Sequence, residues 1–202
     1  KVTVKKYIAW DTWLVTDMAY IFSGCTNFNK SISNWNVSQA KNIFGMFEQC
    51  SSFNQDINTK YVEIDQGDGT KKKYIAWDTS QVTYMLAMFD GCSSFNQNIS
   101  NWNVSQVTNM AYMFKNCSMF NQDINTKFVE IKNEEKVTVK KYIAWDTYTV
   151  TNMDYIFSEC TNFNKSISKW NVSQVVTITD WLKGCKSFYQ DIKTKYVEID
   201  QG

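Results

Sequence analysis

The residues best equipped for chemistry are six cysteines, Cys25, Cys50, Cys92, Cys117, Cys160 and Cys185. Thiols bind metals, form disulfides or act as nucleophiles, and each use demands particular neighbours. A metal cluster needs ligands at close local spacing such as C-x₂-C, whereas these cysteines fall 25 residues apart within each successive pair. The chain has no His, which removes the usual general base and most zinc sites. The cysteines are therefore expected to fill a turn as small apolar side chains. If successive units stack at about 5 Å, neighbours such as Cys25 and Cys50 also fall within disulfide range, and that alternative stays open.

Polar columns accompany the cysteines. Asn29, Asn54, Asn96, Asn121 and Asn164 recur in phase, broken by Tyr189, and are expected to form a side-chain amide ladder that holds units in register. The next column is Lys30, Gln55, Gln97, Gln122, Lys165 and Gln190, followed by Ser31, Asp56, Asn98, Asp123, Ser166 and Asp191. A polar row along a repeat protein is where partners dock. Its plain alternative is a solvated edge. Calcium on Asp56, Asn98 and Asp123 would require a tight oxygen-ligand loop that the sequence lacks. Neither a metal nor a cofactor is expected.

These columns must be positioned by something periodic. A Trp stands 15 residues before every Cys (Trp10, Trp35, Trp77, Trp102, Trp145, Trp170), and a Phe three after it (Phe28, Phe53, Phe95, Phe120, Phe163, Phe188). An Ile follows at seven (Ile32, Ile57, Ile99, Ile124, Ile167, Ile192). The pairs repeat in turn: 1–67 aligns without gaps on 136–202, identical at most positions, and 68–135 is the middle copy. The chain thus reads as a single domain, 1–202, of three super-repeats with two 25-residue coils each.

Within "WNVSQVTNMAYMFKNCSMFNQDI" (102–124), Val107, Met110, Met113 and Phe114 lie on one face of a short helix. Asn103 and Ser105 suit its N-cap, and Gly24, Gly91, Asn116 and Gly184 suit a left-handed stop before the Cys. Phe120 to Ile124 reads as a short strand. The expected fold is an α/β repeat solenoid, a leucine-rich-repeat-like stack of six helix-turn-strand coils, because one coil alone cannot bury both its faces. Between pairs of coils, "KYVEI" and "KKYIAW" flank "DQGDG" (59–77), and "KFVEI" and "VTVKKYIAW" flank "KNEE" (126–145). Both inserts read as β-hairpins, with lysines of the second arm facing Glu63 and Glu130.

Composition excludes several functions. Net charge is +1, and every one of the 21 basic residues is Lys; without the bidentate fork of Arg, no nucleic-acid partner is expected. No apolar run is long enough for an embedded membrane segment. No nucleophile stands beside a base, so no enzyme is expected. The Asn-x-Ser triplets at Asn36, Asn103 and Asn171 follow from the repeat and carry little weight as glycan acceptors. The tryptophan column suits a stacked core rib, whereas Trp13 and Trp181 fall off phase and suit exposed contacts. A start at Lys1 without a leader suits a mature form or a fragment.

At "VTNMAYMFKNCSMFNQDI" (107–124) the chain resembles the repeats of mycoplasma surface lipoproteins, themselves similar to BspA-like leucine-rich repeats whose Ala-Phe, Cys and Leu match Met113-Phe114, Cys117 and Phe120. The resemblance covers all six coils, and the hairpin inserts lie outside it. It implies an extracellular, cell-surface module for interaction or adhesion, contact with host surface protein, or antigenic display. The chain departs from the pattern in having only Leu14, Leu86 and Leu182, and in the decayed last coil "VVTITDWLKGC". The alternative is a structural filament, because Lys1–Trp10 and Thr194–Gly202 each carry one arm of a hairpin, so copies would self-associate head to tail.

Overall fold

A computed structural model of the chain describes residues 9–200. Among the described residues, regular strands form only in the inserts. Strand β1 (Lys60–Asp65) pairs antiparallel with β2 (Lys71–Ala76), and β3 (Lys127–Lys132) with β4 (Thr138–Ala144). Both segments alternate β-branched or aromatic residues with polar ones, which suits a half-buried ribbon. Gly67 and Gly69 take φ of 74° and 89° at the first bend, a region that costs glycine nothing. Each hairpin folds back on the coils before it. Lys72 pairs with Asp11 at 2.6 Å and Lys140 with Asp78 at 2.5 Å, while the Tyr74 and Tyr142 hydroxyls donate to the Asn34 and Asn101 carbonyls.

The expected helix-turn-strand solenoid does not form. Among the described residues there is no helix, and Phe120 to Ile124 is no strand. The leucine-rich-repeat-like architecture is overturned with it: the only strands described are the four of the two hairpins. Val107, Met110, Met113 and Phe114 are fully buried, but they sit on successive turns, not on a helical face.

The cause lies in two columns of left-handed backbone. Tyr20, Gly45, Ala87, Tyr112, Tyr155 and Asp180 have φ between 48° and 60°, and four residues later Gly24, Gln49, Gly91, Asn116, Glu159 and Gly184 have φ between 59° and 78°. Each such residue ends a right-handed turn before an i to i−4 bond can close. Donors that a helix would use internally go to the next coil instead. The N–H groups of Met18, Tyr20, Phe22 and Gly24 bond the carbonyls of Asn42, Phe44, Met46 and Glu48 at 2.8 to 3.0 Å. The same four donors repeat between every successive pair of coils, as in Met110, Tyr112, Phe114 and Asn116 onto Asn152, Asp154, Ile156 and Ser158. Parallel bridges run through Asp17, Asn42, Tyr84, Asn109, Asn152 and Thr177. At Gly45 a Cβ would stand 2.6 Å from the Tyr20 ring, so this left-handed position has no room for a side chain unless the ring moves.

Side chains pile up along the same axis. Phe22, Phe47, Phe89, Phe114 and Phe157 stack at 5.5 to 5.7 Å, beside a second column from Phe28 to Phe188 at 5.8 to 6.0 Å. Trp77 lies parallel to Trp102 at 6.1 Å and Trp145 to Trp170 at 5.9 Å. Every one of these four indoles donates its Nε1–H to a buried carbonyl, Ile32, Ile57, Ile99 or Ile124. From Met18 to Trp170 the buried apolar residues form one hydrophobic core.

Candidate functional site

The turn-built layers carry the polar columns along one edge. Asn29 Oδ1 accepts from the Asn54 amide at 3.0 Å and from Gln55 Nε2 at 2.8 Å. Asn54 does the same for Asn96 and Gln97, and Asn96 for Asn121 and Gln122. Asn164 serves Tyr189 and Gln190. Four glutamines placed by sequence on the docking face are thus tied into the layer before them. Asn121 caps the Asn164 amide at 3.0 Å, but the next residue there is Lys165, which makes no such bond. Lys30 and Lys165 are the members of this column without an amide tie among the described residues.

The third column closes its own turns. Asp56, Asn98, Asp123 and Asp191 each accept the amide two residues on at 2.9 to 3.1 Å, while Ser31 and Ser166 do so at 3.4 and 3.3 Å. This is the Asx-turn geometry that short polar side chains favour. Asp56 also binds Lys60 at 2.6 Å.

The cysteines do structural work. All six are free thiols, and the Sγ of Cys50, Cys92, Cys117, Cys160 and Cys185 donates to a phenylalanine carbonyl of the preceding layer at 2.7 to 2.9 Å. Burial pushes the Cys50 and Cys185 thiols up to about 11, and Cys92, Cys117 and Cys160 well above their ordinary value. A thiol held protonated is a poor nucleophile and a poor metal ligand. Cys25 is exposed on the first layer. No group of three or more His, Cys, Asp or Glu able to hold a metal occurs among the described residues.

Trp13 is 46% exposed with Lys72 above its ring, whereas Trp181 packs on Trp170 at 6.4 Å and its indole Nε1 is buried without a partner. In the hairpins, Glu63 takes Lys71 at 3.0 Å and Lys73 at 3.1 Å, which draws its carboxyl down to about 2. Glu130 is lowered in the same way by Lys141 and Lys132.

The chain matches the model of the family described as Mycoplasma protein of unknown function, DUF285, over residues 3–67 and 126–198. The chain belongs to this family. The match spans most of the first super-repeat, the last ten residues of the second and most of the third, and a relation to BspA-like repeats finds no support in it. Neither curated proteins nor solved structures provide a match. No helix among the described residues is long and apolar enough to cross a membrane.

One place on the edge of this DUF285 chain brings three residues of the sequence columns into a cleft. Asp123, Lys165 and Ser166 line a space of about 400 Å³ with Asn125, Lys127 and Lys169. Lys127 and Lys169 were not legible as site residues from the columns. A comparison of copies would have found Lys169, since it replaces Asn101 just as Lys165 replaces Gln97.

Proposed function

We propose that this protein is a non-enzymatic cell-surface repeat protein that acts as an interaction or adhesion module for host surface protein. The observation that carries this reading is the polar edge: polar side chains, several of them charged and exposed, recur in every layer, and the layers are joined by backbone bonds and amide bonds. A preorganised row of this kind loses little freedom on binding, which favours an extended partner. Thiols held protonated by burial are in keeping with a molecule that binds without doing covalent chemistry. The test is binding of the labelled protein to host-cell monolayers. Substituting Lys30 and Lys165 by Ala, and Asp56, Asp123 and Asp191 by Asn, which keeps the turn-closing Oδ1 acceptor, abolishes binding while leaving thermal unfolding nearly unchanged. Undiminished binding would end the reading.

A second reading, head-to-tail association of copies, has its own support. Trp10 is 77% exposed at one end, while Val176 and Tyr189 are 84% and 85% exposed at the other. Inside the molecule the equivalent tryptophans Trp77 and Trp145 are buried under the next layers. The residues this assembly would pair include Lys1–Ile8 and Gln201–Gly202, which lie outside the described residues. Sedimentation velocity over a hundredfold range of concentration tests it, and a constant monomer would exclude it.

A further inference from the structure

We propose that the cleft between the fourth and fifth layers is a binding site for a sugar acid, a ligand with one carboxylate and several hydroxyl groups. The inference rests on the polar edge being the binding face and adds the chemistry of one ligand. The equivalent place between the second and third layers supplies the comparison. There, Gln97 donates to Asn54 Oδ1 at 3.0 Å, Asn101 Nδ2 reaches the Thr59 carbonyl at 3.3 Å, and Lys60 is held by Asp56 at 2.6 Å. The side-chain donors of Gln97, Asn101 and Lys60 are all committed to the fold there.

One super-repeat later the same positions are rewired. Gln97 becomes Lys165, Asn98 becomes Ser166 and Asn101 becomes Lys169. The lysine equivalent to Lys60, Lys127, turns away from Asp123 to the Ser100 hydroxyl at 2.8 Å. Among the described residues neither Lys165 nor Lys169 has a carboxylate partner, and Asp123 makes no ion pair. Asp123 uses one oxygen on the Asn125 amide at 3.1 Å and keeps the other. The result is a cleft of about 400 Å³ lined by Lys165 and Lys169, by Lys127 whose ammonium is bonded to Ser100, by the Asp123 carboxylate, and by Asn125 and Ser166.

Such a lining selects its ligand. Lysine acts as a point charge for an anion, so the cleft takes an acid group. The Asp123 carboxylate repels compact multivalent anions but accepts from hydroxyl donors. A ligand that separates one carboxylate from a set of hydroxyls across a ring meets both conditions, and the volume lies at the lower end of small-molecule sites, about 300–1,000 Å³.

The experiment titrates the full chain with D-glucuronate, glucose and inorganic phosphate, read by calorimetry and by amide resonances of 123–127 and 165–169. Saturable glucuronate binding at those amides is expected, with glucose and phosphate weaker by about tenfold or more. The Lys165→Gln, Lys169→Asn double variant restores the side chains of the middle copy. It keeps its melting midpoint and loses glucuronate affinity by about tenfold or more. Asp123→Asn brings phosphate and glucuronate to within about twofold of each other. Phosphate binding the native chain as tightly as glucuronate would overturn the ligand class. Absent glucuronate binding, or binding that the double variant leaves intact, would overturn the site. If glucuronate fails while adhesion to monolayers still depends on the edge residues, this inference alone falls; if both fail, the polar edge is not a binding face.

Discussion

The segment TKYVEID occurs twice, at 59–65 and at 194–200, with every residue the same. In the first copy, Lys60–Asp65 is strand β1, and Tyr61 is half-buried beside Ile75. In the second, residues 195–200 form no strand and Tyr196 is 88% exposed. Local propensity is therefore equal, and the difference is the partner arm: β2 lies against the first copy, and no described strand lies against the second. Two-stranded ribbons are marginal alone, and here the ribbon is anchored to the layers through Lys72, Tyr74 and the Thr59 hydroxyl on the Trp77 carbonyl. The same contrast runs through the layers themselves. Phe120 is fully buried between Phe95 and Phe163, whereas Phe188 stacks on Phe163 alone and is half-buried.

That contrast between inner and outer copies breaks most sharply in the core. Phe120→Ala is expected to cost about 3–5 kcal/mol in denaturant unfolding. Phe188→Ala should cost less than half as much, because its site is already open. Equal costs would mean that layers do not protect one another.

Next in size is the amide ladder. Asn96→Ala leaves the Asn121 amide without its acceptor and removes one of the two acceptors of Gln122 Nε2, and should cost about 1–3 kcal/mol. Tyr189→Ala, at the place where the ladder stops, should change stability by about 0.5 kcal/mol or less.

Acid sharpens the comparison of the two TKYVEID copies. Glu63 has its carboxyl drawn from 4.5 to about 2 by Lys71 and Lys73. A lowered folded value means stabilisation that is present above 4.5 and lost as pH falls toward 2. Amide exchange in β1 should therefore accelerate across that window and Glu63→Gln should remove the acceleration. Amides of 195–199 should stay unprotected throughout.

The smallest effect separates the two kinds of edge residue. Gln122→Ala should cost about 0.5–1.5 kcal/mol, since its amide bonds Asn96 twice. Lys165→Ala, untied to any layer, should stay within about 0.5 kcal/mol. A reversal of that order would show that the glutamines, not the lysines, are free for partners.

The legible part of this protein is what repeats. Phasing of Trp, Phe, Ile and Cys identified the buried columns, and the period-2 runs around DQGDG and KNEE identified the hairpins. The short helix expected around Val107, Met110, Met113 and Phe114 does not form for a physical reason: that spacing also suits a chain that turns at two left-handed residues four positions apart in each coil, here Tyr112 and Asn116. Ala87 and Tyr112 give no sequence cue for positive φ, because neither residue type favours it. In the site, the columns led to Asp123 and Lys165, but Gln55, Gln97 and Gln122 looked equally free, since nothing local shows that an amide one layer away will accept from them.

Sequence alone determined the period, which side chains meet copies of themselves, and where the hairpin arms begin. Tertiary structure decided where the backbone N–H groups go. Once layers stack, a donor from Met18 or Tyr20 finds a carbonyl 24 residues on at the distance a helix would have offered four residues back. Left-handed turns that are costly in isolation persist because that ladder satisfies every layer at once. The same rule gives β1 its strand and leaves 195–200 without one: a backbone adopts the geometry for which a neighbour is in place.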